Sequence, residues 1–338
     1  MAFYRLYKKR VIDNYLYMKD KLMCCDIYYA MKANAEKGVL QTLAEQGCKF
    51  DCASYEEYMK LKKIGVESDR ILFSLPINSY DMLVKMHNEG CNKYVCNDYE
   101  ELLKVCKVTP NSTKLMRIYI SDLAEGSIEY GVRLDDIKKI PKEFLNKIDG
   151  ICFHVSNNIN ISRCEKVIHR IEDILLFLKS NNDKQYIVDI GGGYSQSIDD
   201  EFYKKLNSIF EKSILKMNVR IWAEPGTAIV RNSAEYLTKI IRIIEKDNIV
   251  EVYIDGGYPH GLMHPPSKVS VVGYKEKTKR VIYKIVDNTC MRKELFSFSL
   301  KKMLKEGDVL RFEDYGAYST IFQNDFHCWE RAKIDFVE

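Results

Sequence analysis

Asp26-Ile27-Tyr28-Tyr29-Ala30-Met31-Lys32-Ala33-Asn34 is a short, almost unbroken apolar run that ends on a lysine. Such a run, bounded by polar residues, reads as a strand buried on both faces. The same kind of run recurs at Lys49–Ala53, Ile71–Leu75, Lys93–Asn97, Lys114–Ile120, Gly150–Val155, Gln185–Ile190 and Val219–Glu224, which with Asp26–Ala33 makes eight. Between them lie stretches with helical spacing and many Lys and Glu, among them Gly38–Gln46, Tyr55–Ile64, Ser79–Asn88, Tyr99–Val105, Arg163–Lys179 and Asp200–Lys216. This alternation predicts an α/β fold with a parallel sheet, and eight units predict a closed (β/α)8 barrel rather than an open sheet.

Beyond Ser233 the rhythm changes. Tyr236–Ile244, Ile249–Ile254, Val269–Tyr274, Arg280–Asp287 and Asp308–Glu313 are β-rich, with no helical stretch between them. Strands that follow β/α units in this way predict a second, mainly antiparallel β domain. Phe3–Tyr7 reads as a strand that can join it. The expected division is 14–233 for the barrel and 1–13 plus 234–338 for the β domain.

Bulk composition narrows the function classes. The 338 residues suit one barrel and a smaller domain. The 52 basic and 48 acidic residues are well mixed and leave a net charge of only +4. No basic stripe alternates with aromatics, so nucleic acid is not an expected partner. No run approaches the roughly 20 apolar residues of a membrane helix, so no membrane partner is expected either. The eleven cysteines are odd in number, and Cys52, Cys96 and Cys152 lie inside apolar runs. They read as buried free thiols rather than a disulfide framework. Met1 to Arg10 lacks the apolar core of a secretory signal. A reducing, cytoplasmic location is expected.

A barrel of this kind carries its chemistry at the C-terminal ends of its strands. Those ends hold Lys32, Asp51, Arg117, His154, the triplet Gly191-Gly192-Gly193 and Glu224-Pro225-Gly226. A lysine desolvated at the end of a buried strand should have a lowered pKa and a nucleophilic amine. Three successive glycines can form an anion nest, or simply a tight turn. His154 taken alone reads as a core histidine, and Glu224 alone as a capping acid. Together they place an amine, a ring, an anion nest and a carboxylate on one rim, which suits a phosphorylated carbonyl cofactor.

These residues carry a resemblance to a known family. Tyr29-Ala30-Met31-Lys32-Ala33-Asn34, Phe50-Asp51-Cys52-Ala53-Ser54, Phe153-His154-Val155, Asp189-Ile190-Gly191-Gly192-Gly193, Glu224-Pro225-Gly226, Asp255-Gly256, Thr289-Cys290 and Gly316-Ala317-Tyr318 occur in that order. The chain resembles, over nearly its whole length, the fold-III pyridoxal-phosphate-dependent decarboxylases of ornithine, arginine, lysine and diaminopimelate. The resemblance implies a lyase that uses pyridoxal 5'-phosphate, with Lys32 as the Schiff-base lysine. It implies cofactor contacts from Asp51, Arg117 (near the ring oxygen or imine), His154 (stacked on the ring) and Glu224 (at the pyridine nitrogen). Gly191, Gly192, Gly193, Gly226 and Tyr318 would hold the phosphate. Cys290 would protonate the carbanion left by carbon dioxide, and would do so from a neighbouring subunit, so a homodimer with interfacial sites is implied.

The departures from the family pattern fall on the substrate side. The acid that usually follows the cysteine is replaced by Met291, with Arg292, Lys293 and Glu294 beyond it. The arginine that usually follows Glu-Pro-Gly is Thr227, and the usual His-Val-Gly-Ser reads His154-Val155-Ser156-Asn157. The expected substrate is therefore a basic, modified or conjugated amino acid, with Asp255, His260 and Glu294 as candidate contacts. His260 and His264 stand four apart among glycines and prolines, where helical pairing fails, so no metal is expected. Two other readings compete: a catalytically inactive binding or regulatory homologue, and a racemase. The acid at Glu224 and the cysteine at Cys290 argue against the racemase.

Overall fold

Apolar strands that alternate with amphipathic helices bury both faces of a parallel sheet, and the barrel that results follows this logic. The computed structural model describes residues 2–123, 129–155, 159–246, 249–273, 281–301 and 303–338. After β1 (Phe3–Tyr7) come β2 (Cys25–Ala30), β3 (Lys49–Cys52), β4 (Ile71–Phe73), β5 (Lys93–Cys96), β6 (Thr113–Arg117), β7 (Gly150–Cys152), β8 (Tyr186–Asp189) and β9 (Val219–Ala223). Strands β2 to β9 form a closed barrel in sequence order, with every adjacent pair parallel. The closing pair is β2 with β9, in the register Cys25↔Ile221, Asp26↔Trp222 and Ile27↔Ala223. Tyr28, Leu72, Val95, Leu115, Cys152, Ile187 and Trp222 fill the interior as one cluster. The Tyr28 and Trp222 rings meet at 4.6 Å between centroids.

All eight barrel strands lie within the expected runs or start one residue earlier, but most stop short of the expected ends. The first stops at Ala30, and Met31–Ala33 forms a 3-10 turn, so Lys32 stands on a tight turn beyond the strand. The sixth run ends as strand at Cys152, which leaves His154 in the βα loop. The following helices begin at capped ends. Ser54, Ser79, Asp98, Asn160 and Asp199 each accept a backbone N–H of the first turn.

The β-rich part contains β10 (Ala234–Lys246), β11 (Ile249–Ile254), β12 (Val269–Val271), β13 (Val281–Val286), β14 (Glu294–Leu300), β15 (Val309–Glu313) and β16 (Lys333–Val337). Its sheet order is β12-β15-β10-β11-β13-β14, and β1 joins β10 and β16. The pairs are antiparallel except β11 with β13 and β1 with β16. Tyr4, Tyr236, Phe312 and Tyr315 lie in its core cluster.

The chain divides into two compact units: Asn14–Lys32 with Leu43–Ala228, and Met1–Asp13 with Ala33–Thr42 and Ile229–Glu338. All eleven cysteines are free thiols, seven of them buried. Among the described residues no helix is long and apolar enough to cross a membrane. Residues 124–128 of the polar stretch after β6, and Ser156 and Asn157 after His154, lie outside the described residues.

Gly150 shows how tightly the barrel is closed. A Cβ there would meet the Ile187 carbonyl and come within 2.7 Å of the Ile187 Cβ. Gly150→Ala therefore costs about 1–3 kcal/mol by overpacking. The measurement is the urea midpoint of the purified variant against the parent, and an unchanged midpoint would refute the stated closeness.

Candidate active site

The C-terminal rim of the barrel encloses a cavity of about 220 Å³, lined among others by Lys32, Ser74, Arg117, Tyr130, His154 and Glu224. The ends of β2, β3, β4, β5, β6, β7 and β9 supply parts of it, as a barrel rim does. The Lys32 side chain is exposed to the cavity. This corrects the expectation of a desolvated lysine: the 3-10 turn carries the residue past the last buried strand position, Ala30. What the barrel does bury is the acids. Asp51 at the end of β3 and Asp189 at the end of β8 are 3% and 0% exposed.

Burial sets the charge state of this rim. It pushes Asp51 up to about 8; nearby Glu224 pushes the same way, and Lys32 opposes it. Burial and the neighbouring Asp189 likewise push Glu224 up to about 8, against the pull of Lys32 and Arg117. Asp189 rises to about 6 for the same first reason, held down by the Gly191 N–H. Burial and then the positive charges of Lys32 and Arg117 drive His154 down to about 4. The Arg117 guanidinium lies 5.6 Å from the Tyr130 ring centroid, over its face.

The glycine triplet is bound into the same network. Gly191 and Gly193 have φ of +66° and +98°, a region that glycine enters freely. The Gly191 N–H donates to Asp189 Oδ1 at 2.9 Å, and the Gly192 N–H donates to His154 Nδ1 at 3.1 Å. The Gly191 carbonyl accepts the Glu224 N–H at 2.8 Å. Two of the three glycine N–H groups are thus engaged inside the barrel. A Cβ on Gly192 would sit 2.8 Å from the Glu224 carbonyl oxygen. Gly226 is buried beside Pro225, whose carbonyl accepts the Ala30 N–H at 3.4 Å. The sequence reading missed Ser74 and Tyr130. Ser74 directly follows β4, so the strand-end rule could have found it; Tyr130 follows no strand and gave no signal.

The remaining candidates lie in the other unit. Cys290 is exposed, and its N–H donates to His327 Nε2 at 3.4 Å. Tyr318 has φ of +51°, and its N–H donates to the Ala33 carbonyl at 2.8 Å. Asp255 Oδ1 accepts the Thr238 hydroxyl and the Lys239 N–H. Glu294 pairs with Lys284 at 3.1 Å and Arg292 at 3.9 Å. His260 is buried and stacks on Trp329, with Nε2 at 3.1 Å from the Glu330 carbonyl. His264 Nε2 faces the Ala317 carbonyl and the Ser319 hydroxyl.

The raised carboxyls make the stability of the cofactor-free protein depend on pH with a definite sign. Between the ordinary carboxyl range and about 8, the folded chain holds protons on Asp51 and Glu224 that the unfolded chain releases. Stability from these groups therefore falls as pH rises through that window. His154, lowered from 6.5 to about 4, acts oppositely but only below 6.5. Above pH 6.5 His154 no longer opposes the carboxyls, and the melting temperature should decline. Glu224→Gln should make that decline shallower; an identical slope would refute the protonated state assigned to Glu224.

Known proteins resemble this chain over most of its length. Over 344 residues the chain is 28% identical to an ornithine decarboxylase of Schizosaccharomyces pombe, covering 92% of this chain and 77% of that one. It is 23% identical to antizyme inhibitor 2 of Xenopus laevis, covering 92% and 75%. The arginine decarboxylase of Paramecium bursaria Chlorella virus superposes with a TM-score of 0.90 at 23% identity, over 99% of this chain and 96% of that one. That likeness supports the fold. Residues 8–231 match the pyridoxal-dependent decarboxylases through their pyridoxal binding domain, and the chain belongs to that family.

Proposed function

We propose that this chain is a pyridoxal-phosphate-dependent amino-acid decarboxylase that releases an amine and carbon dioxide. The observation that carries the reading is a rim cavity with one amine, Lys32, facing a half-buried acid, Glu224, that holds a proton near neutral pH. The cavity fits the cofactor on its own features. Asp51 Oδ1 is buried with no hydrogen-bond partner among the described residues, and the glycine turn leaves no room for side chains. When bound, the cofactor supplies an aldehyde and an electron-accepting ring.

The chain's own residues divide the remaining work. Lys32 would hold the cofactor through its amine. Glu224 keeps a proton at the ring nitrogen, which deepens the electron sink. His154 would offer a flat ring for stacking, Arg117 would add positive charge, and Asp51 would contribute a buried acid behind the pocket. Gly191, Gly192, Gly193 and Gly226 would receive the phosphate. Cys290, from a neighbouring subunit, would supply a proton to the substrate carbon. A homodimer with interfacial sites and a cytoplasmic location complete the proposal.

The substrate is an amino acid whose distal end is not a simple ammonium. Met291 is 53% exposed and cannot pair a cation. The candidate acids already have partners: Glu294 has Lys284 and Arg292, Glu251 has Arg292 at 2.5 Å, and Asp255 has Thr238 and Lys239. A modified or conjugated amino acid meets these constraints. The relative named antizyme inhibitor 2 keeps a regulatory reading in view. The racemase reading is disfavoured by the acid Glu224.

Two measurements test the proposal. Protein reconstituted with pyridoxal phosphate should absorb visible light, and Lys32→Ala should abolish that band and lower carbon dioxide release by more than about a thousandfold. A colourless parent would favour the regulatory reading. On a substrate panel, free ornithine should be turned over poorly, and efficient ornithine turnover would overturn the substrate assignment.

A further inference from the structure

Glu224 has a companion that the reaction above does not use. Asp189 ends β8, next to β9, and its register partner Trp222 lies two residues before Glu224. It is fully buried. Its Oδ1 accepts the Gly191 N–H, while its Oδ2 has no donor among the described residues. Across the adjacent strand ends, the Glu224 carboxyl and this one act on each other's charge state. Ionised carboxylates only accept hydrogen bonds, so two of them cannot bond each other. They can when one proton lies between them. The charged and titratable groups facing this pair are Lys32, Arg117, Asp51, Cys152, Cys25, Tyr28 and Tyr194.

We propose that Asp189 is a positioning residue that grips the glycine turn with one oxygen and shares a proton with Glu224 through the other. The phosphate-binding turn and the acid for the ring nitrogen are thereby set as one unit. This rests on the reading of Glu224 as the acid that faces the cofactor ring. Both carboxyls are pushed above the ordinary range, chiefly by burial, which is the direction a shared proton requires. The joint hydrogen bonds tighten the unit further. The Gly191 carbonyl holds the Glu224 N–H while the Gly191 N–H holds Asp189. A shift of Asp189 therefore moves both the turn and the acid.

The test begins with the cofactor-free protein. Infrared pH titration should show a protonated carboxyl band at neutral pH. Asp189→Asn keeps the acceptor for Gly191 and gives Glu224 a permanent donor, so it should remove one component of that band. Glu224→Gln should remove the same component, and Asp51→Asn a different one. The second arm follows pyridoxal phosphate uptake by visible absorbance across pH. Asp189→Ala should weaken uptake about tenfold or more. Asp189→Asn should restore most of that affinity and shift the pH midpoint. An unchanged infrared band in folded Asp189→Asn would overturn the proposal. Should that variant fail to fold, a Glu224→Gln band that loses nothing would overturn it equally. Failure of the parent to take up cofactor would sink the proposed function and leave the infrared result to judge the shared proton.

Discussion

The rim depends on three backbone pairings, Cys25 to Ile27 with Ile221 to Ala223, which join the first barrel strand to the last. Lys32 follows the first strand and Glu224 follows the last. In an open eight-stranded sheet with the usual strand spacing, these two residues would stand about 30 Å apart. Closure makes them neighbours. The Ala30 N–H bond to the Pro225 carbonyl carries the seam beyond the strands and fixes the two turns that bear the chemistry. The interior layer around Tyr28 and Trp222 supports this seam from within, since the two rings come from the strands that close it.

Closure has an electrostatic consequence. Asp51, Asp189 and Glu224 are brought together at one end of a packed interior, where charge is costly. Lys32 and Arg117 offset part of that cost. The rest is met by protonation, which raises the acids toward the working range of an enzyme. Acid groups with adjustable protons at the floor of a cavity therefore follow from the topology as much as from the individual residues.

Much of this was legible in the chain. The eight barrel strands were readable because strands buried on both faces are nearly continuous apolar runs, and β1 and β11 were read to the residue. Strand ends were less legible, because the last apolar residues cover the rim instead of pairing, and that is how Lys32 came to stand in the open. The helix Lys8–Lys21, with its many charges, and the strands Glu294–Leu300 and Lys333–Val337 went unread. Glu294–Leu300 is an alternating strand whose serines hide the period. Among site residues, those at strand ends were found by position alone. The link between Asp189 and Glu224 was not, since it depends on which side chains face each other across adjacent strands.

The bond from Gly192 to His154 Nδ1 limits what this imidazole can do. An Nδ1 that accepts a backbone N–H leaves the neutral ring with its one proton on Nε2. With its pKa held near 4, the ring stays in that tautomer at any pH where the protein would work. It has no lone pair to offer as a base and no spare proton to give as an acid. His154 is thus confined to presenting a neutral aromatic face, and every proton moved in this pocket must travel by another side chain.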